Sequence, residues 1–268
     1  MIRSVAICLL FEAMLVASAW AAERAPVRLY AAGSLRVALS EAAAAFEKQD
    51  GTPVKSEFGA SGLLRERIEQ GAPAEVFASA DLGHPRALNS ARRSGLVVVF
   101  TRNRLCALAS PKLKVTTDTL LGVMSDPDVR LGTSTPRNDP SGDYTWEMFR
   151  KAEQIQSGSY EILSSKALKL VGGAGAPPPP KGRSVYTVLM MEGKADLFIT
   201  YCTNAILARS EAPELKVVQL PEPLAVGAEY GLTVMNGASE AATRFARFIL
   251  SPAGQSILIK HGFASVTQ

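Results

Sequence analysis

Two stretches run a short apolar strand into a small hydroxyl residue that opens a helical pattern: Val27-Arg28-Leu29-Tyr30-Ala31-Ala32-Gly33-Ser34-Leu35 and Glu57-Phe58-Gly59-Ala60-Ser61-Gly62-Leu63-Leu64. Two less regular turns of the same kind follow in the second half of the chain. A helix start carries unpaired backbone N–H groups and the positive end of the helix dipole, so a hydroxyl placed there makes a neutral, donor-rich cradle for an anion. Two such turns facing each other can hold an oxyanion without any formal positive charge. Either serine alone is equally a simple helix cap.

Other chemistries find little support. No Gly-x-Ser-x-Gly elbow surrounds Ser34 or Ser61, and His84 and His261 are the only histidines, so a hydrolase triad is not assembled. No Walker loop or dinucleotide fingerprint follows a strand. The histidines and cysteines have no metal-ligand spacing. Asp81 reads as a helix cap or interlobe contact, and His84, followed by Pro85, as a surface residue. The chain therefore reads as a binding protein without a cofactor, not an enzyme.

The elements that would position these turns alternate in α/β fashion. Strands are predicted at Val27–Ala31, Val54–Phe58, Glu75–Ala80, Leu96–Phe100, Leu105–Ala109, Val129–Thr133, Ala195–Tyr201, Leu215–Leu220 and Tyr230–Val234. Helices are predicted at Leu35–Gln49, with Val37, Leu39, Ala42, Ala45 and Phe46 inward, and at Gly62–Gln70, after Asp81, Leu120–Met124, Tyr144–Ile155, Ser184–Glu192, Ala205–Arg209, Ala238–Leu250 and Ala253–Lys260. The stretch from Thr135 to Gly142 is read as a polar loop. The Gly- and Pro-rich run Gly172 to Pro180 is read as an exposed loop, with a mobile flap as the alternative. A chain that leaves one lobe, builds a second and returns makes two lobes around a cleft. Ligands of open α/β sheets bind beyond the carboxyl ends of the strands.

Of 268 residues, 47% are hydrophobic and 20% charged, which marks a globular chain, and the net charge of +4 is scattered rather than gathered in a basic stripe. Nucleic acid is not an expected partner. Arg3, the apolar stretch Ser4 to Ala19 and small residues at Ala17, Ala19, Ala21 and Ala22 read as a secretory signal over residues 1–22, which predicts export to the periplasm. Cys8 leaves with it. Cys106 and Cys202 then meet an oxidising compartment, either as a disulfide or as two buried thiols.

The run Leu29 to Leu35, then Phe58-Gly59-Ala60-Ser61-Gly62, then Ile68-Glu69-Gln70-Gly71-Ala72-Pro73-Ala74-Glu75-Val76-Phe77-Ala78-Ser79-Ala80-Asp81 resembles the periplasmic molybdate-binding proteins of ABC importers. Ser251-Pro252-Ala253-Gly254-Gln255 and His261-Gly262-Phe263 are similar too. The resemblance implies a type II periplasmic-binding fold, with lobe I over residues 23–103 and 226–268 and lobe II over 104–225, joined by a hinge. It implies a monomer that captures molybdate or tungstate and passes it to an ABC permease in the inner membrane. Ser34, Ser61 and Tyr201 would touch the oxygens of the oxyanion, not the metal itself. A backbone amide falls on Ser141 and a last one, at a helix start, near Arg183.

The chain departs from the family at Arg183, where a small apolar residue is usual; a guanidinium there would favour a different or larger anion, or else points into solvent and pairs with a nearby carboxylate. Ser141 stands where alanine is usual, flanked by Asp139 and Asp143, whose charges would repel an anion if unpaired. Sulfate, phosphate or a small organic anion, and a sensory or partner-binding role without transport, are the alternative readings.

Overall fold

The computed structural model describes residues 24–176 and 182–266, so the predicted signal of residues 1–22 and Pro177 to Pro180 of the Gly- and Pro-rich run lie outside the described residues. The strands are β1 (Val27–Ala32), β2 (Val54–Gly59), β3 (Val76–Ser79), β4 (Val98–Ala109), β5 (Leu131–Ser134), β6 (Leu168–Val171), β7 (Leu197–Tyr201), β8 (Lys216–Gln219) and β9 (Gly227–Val234). The helices are α1 (Arg36–Asp50), α2 (Ser61–Glu69), α3 (Gly83–Ser90), α4 (Leu120–Ser125), α5 (Pro140–Ile155), α6 (Ser159–Lys166), α7 (Val185–Met191), α8 (Cys202–Glu211), α9 (Glu240–Leu250) and α10 (Pro252–Lys260).

The strands form one path, β2-β1-β3-β9-β4-β7-β5-β6, with β8 also on β4. β4 is the shared element. Its residues Val98 to Arg104 pair with β9, and Leu105 to Ala109 pair with β7, four of them also with β8. The two predicted strands at 96–100 and 105–109 are therefore one, with a register irregularity between Val99 and Thr101. One lobe is built on β2-β1-β3-β9 and the other on β7-β5-β6 with β8. β8 pairs with Cys106–Ala109, so the return to the first lobe comes only after it.

β1 runs parallel to both β2 and β3, and β5 parallel to both β6 and β7. Parallel strands of this kind are covered on both faces, which explains why β1, β3, β5 and β7 are almost wholly buried. In α1, Ala38, Leu39, Ala42 and Phe46 face the core, and Phe46 packs on Phe245 and Phe248 of α9 at ring separations of 5.1 and 5.9 Å. Val37, predicted inward, is exposed, because the buried stripe falls on Ala38 beside it.

Two elements escaped the sequence reading. α6 and β6 follow α5 directly, and their short lengths leave too few turns to show a period. α5 also begins earlier than predicted: Pro140, Ser141 and Gly142 form its first turn, not a loop. Asp139 is its N-cap and Pro140 its first helical residue, an arrangement suited to proline because that position needs no N–H bond.

Candidate oxyanion site

Ser34 and Ser61 both lie beyond the carboxyl ends of parallel strands, but neither hydroxyl caps its own helix. Ser34 sits in a one-turn 3-10 helix between β1 and α1, and its Oγ lies 2.9 Å from the Tyr230 hydroxyl. Ser61 opens α2, where its Oγ accepts the Ala80 N–H at 3.1 Å. The Tyr201 hydroxyl donates to the Ala80 carbonyl at 3.3 Å, so the residue after β3 joins Ser61 to Tyr201. The rings of Tyr201 and Tyr230 are 5.5 Å apart, and Tyr144 meets Tyr201 edge-on at 6.4 Å. Three predicted ligand residues, from β1–α1, α2 and the end of β7, thus converge on one connected group of neutral hydroxyls.

These hydroxyls stay neutral. Burial pushes the phenols of Tyr201 and Tyr230 well above their ordinary range, and each feels the Asp139 charge as a further upward push. Tyr201 is 1% exposed and Ser61 fully buried. Neutral donors in a dry site suit an anion that has shed its water, because each hydrogen bond to a charged acceptor is worth more there than in solution.

The start of α5 faces the start of α2 across the cleft. The Gly62 N–H donates to the Asn138 carbonyl at 2.8 Å, three residues before Ser141. A Cβ at Gly62 would lie 2.5 Å from the Arg137 carbonyl oxygen and 2.8 Å from that of Asn138, so glycine permits this approach. The Ser141 N–H, assigned to the anion by resemblance, is held at 3.0 Å by the Asp139 carboxylate. Ser141 Oγ is buried and has no hydrogen-bond partner among the described residues.

Arg183 stands apart. It is exposed, precedes Ser184, the N-cap of α7, and has no hydrogen bond to the hydroxyl group among the described residues. The Ser184 N–H is taken by the Glu211 carboxylate at 2.9 and 3.0 Å, so the open amides of α7 begin at Val185, not at Arg183. The helix starts one residue later than the predicted Ser184.

Residues that the sequence did not single out complete the group. Asn103 Nδ2 donates to Thr203 Oγ1 at 2.9 Å and to the Tyr230 hydroxyl at 3.3 Å, tying β4, α8 and β9 together beneath Ser34. A single Tyr or Asn inside an apolar strand has no local signal of such a role. Cys106 and Cys202 form a disulfide, which clamps the residue after Tyr201 to β4.

A cavity of about 430 Å³ opens beside the group, lined by Asp81, Leu82, Gly83, Pro140, Asp143, Tyr144, Gly227 and Glu229. Asp81 accepts from the Ser79 hydroxyl at 2.7 Å and the His84 N–H at 3.2 Å, and Asp143 accepts the Arg137 N–H at 2.8 Å. His84 is mostly buried here, with Nε2 3.8 Å from Asp81, and is not the surface residue expected. Another cavity, of about 700 Å³, is lined by Arg24, Arg28, Asp50, Glu75 and Arg244 among others. Residues 26, 52 and 75 place it at the amino ends of β1, β2 and β3, opposite the end where such sheets bind ligands.

Residues 27–264 match the family of bacterial extracellular solute-binding proteins. An uncharacterized protein of Pasteurella multocida is 35% identical over 238 residues, covering 88% of this chain and 98% of that one. The molybdate-binding protein ModA of Escherichia coli K12 is 28% identical over 255 residues, 90% of each chain. The solved periplasmic molybdate-binding protein of Azotobacter vinelandii superposes with a TM-score of 0.72 at 19% identity, over 89% of this chain and 98% of that one, and so shares the fold. The two-lobed architecture and the match along nearly all of the described chain agree: the chain belongs to the bacterial extracellular solute-binding protein family.

Proposed function

We propose that this solute-binding protein captures a tetrahedral oxyanion, molybdate or tungstate, between its lobes and delivers it to an ABC permease. The observation that carries this reading is the convergence of buried Ser61 and Tyr201, bonded through Ala80, and half-buried Ser34, bonded to Tyr230, whose ring packs on that of Tyr201, at the carboxyl ends of the parallel strands. An arriving anion would accept the bonds that now link these groups, with its oxygens replacing Tyr230 as partner of Ser34 and the Ala80 carbonyl as partner of Tyr201. The molybdate-binding name of the Escherichia coli relative points the same way.

Closure turns on the two chain crossings near residues 103–104 and 225–226. There β4 changes partners, and the Leu105 N–H donates to the Val226 carbonyl at 3.2 Å, so the crossings move together as a hinge. Selection against sulfate then rests on cavity size, since these dianions accept the same hydrogen bonds and an ill-fitting one leaves donors unpaired.

Calorimetric titration of the purified protein with molybdate, tungstate, sulfate and phosphate tests this. Heat and a rise in Tm with molybdate or tungstate are expected. No heat and no thermal shift with any of the four would end the oxyanion reading.

A further inference from the structure

The carboxylate of Asp139 already occupies the donor that the resemblance assigns to the anion, the Ser141 N–H at the start of α5, at 3.0 Å. It cannot swing freely away. A Cβ at Gly172, which has φ of +77°, would come within 2.6 Å of Asp139 Oδ2, so the backbone after β6 closes over that oxygen. Beside it lies the Ser141 hydroxyl, 1% exposed and unpartnered among the described residues. The charge of Asp139 reaches Tyr186 of α7, Tyr201 at the end of β7 and Tyr230 of β9, all phenols that burial keeps neutral. Ser134 of β5 lies close to it, its buried hydroxyl without a hydrogen-bond partner among the described residues, and on its own helix it faces Asp143, itself near His84, Asp81 and Arg137. Among the described residues, the groups that act on Asp139 are Ser141, Ser134 and Asp143, none of them a cation.

A bare dianion placed against this carboxylate would bring three negative charges together in a dry site. We propose that Asp139 makes oxyanion capture proton-linked, so that the closed site holds the anion together with one proton shared between the Asp139 carboxyl and an anion oxygen. For molybdate or sulfate, the proton moves from a buffer acid to the Asp139 carboxylate. The carboxylic O–H then donates to the anion where the ionised group would repel it. Hydrogen phosphate carries its own proton and can donate it to the ionised carboxylate. Burial already pushes Asp139 up to about 6 in the ligand-free chain, and a bound anion pushes it further in the same direction.

This inference rests on the oxyanion reading, and calorimetry separates the two. The wild type and Asp139→Asn are titrated with molybdate, sulfate and phosphate from pH 5.5 to 8.5, each in two buffers of different ionisation enthalpy. Asparagine is also a good N-cap, and Asp139→Ser serves as a second variant that keeps a cap. In the wild type, molybdate and sulfate should bind with uptake of one proton per anion and lose about tenfold in affinity per pH unit over the upper range, while phosphate holds its affinity. Both variants should bind molybdate with flat pH dependence and no proton uptake. Wild-type binding that is already pH-flat, or variants that keep the wild-type slope, would overturn the role of Asp139 and leave the oxyanion site standing. Failure of every anion to bind wild type and variants at pH 5.5 would overturn both.

Discussion

The Gly62 amide donates to the Asn138 carbonyl at 2.8 Å, a bond that fastens the start of α2 in one lobe to the loop before α5 in the other. Gly62→Ala would place a methyl group against the Arg137 and Asn138 carbonyls, and the cheapest relief is to hold the lobes apart. Alanine favours helix over glycine by roughly 0.5–1 kcal/mol, so α2 itself gains. The expected result is an unchanged or higher Tm with anion affinity reduced at least about tenfold. Small-angle scattering with saturating ligand should show a more open molecule, and full affinity with a closed profile would refute the wedge.

Ser34→Ala, Ser61→Ala and Tyr201→Phe should each weaken anion binding by about 1–3 kcal/mol, the value of a hydrogen bond to a charged partner. Their effects on folding differ. Ser34→Ala leaves the Tyr230 hydroxyl bonded to Asn103, so Tm should hardly move. Ser61→Ala strips the buried Ala80 N–H of its acceptor and should lower stability by about 1–3 kcal/mol as well. Titration and thermal melts of the three proteins check both halves, and wild-type affinity in all three would put the anion elsewhere.

The Cys106–Cys202 disulfide closes a loop with a sequence separation of 96. Replacing both cysteines by alanine should cost about 2–5 kcal/mol, chiefly through the freed unfolded chain. Because Cys202 follows Tyr201 directly, anion affinity should fall too. Denaturant unfolding with and without a reductant measures the first effect, and a wild type insensitive to the reductant would contradict it.

Hydrogen bonds from Arg244, then Thr52, hold Asp50 down to about 2. Its folded pKa lies below the unfolded value, so the stability it contributes is present above about pH 4 and lost as pH falls toward 2. Arg244→Ala should flatten that acid limb by lowering the melt at neutral pH, modestly because the Arg244 side chain is 44% exposed, while stability near pH 2 hardly changes. An unaltered acid limb in the variant would assign the loss to other carboxylates.

Local order along the chain was enough to place β1 with Ser34, β2 with Ser61, and β7 with Tyr201, because apolar runs ending in small polar residues are signals carried by neighbours in sequence. The cap at Asp139-Pro140 is equally local, but in a run of polar residues and prolines it carries the same signal as a loop. Tertiary packing decided the rest. Whether a serine caps its own helix or turns to Tyr230 and Ala80 depends on strands brought from far along the chain, and Tyr230 lies 196 residues from Ser34. Arg183 stands exposed before α7, which starts at Val185, while burial and the backbone at Gly172 hold the Asp139 carboxylate on the Ser141 amide. Burial, and with it protonation, belongs to the folded arrangement of many elements at once, which residue type and spacing alone do not encode.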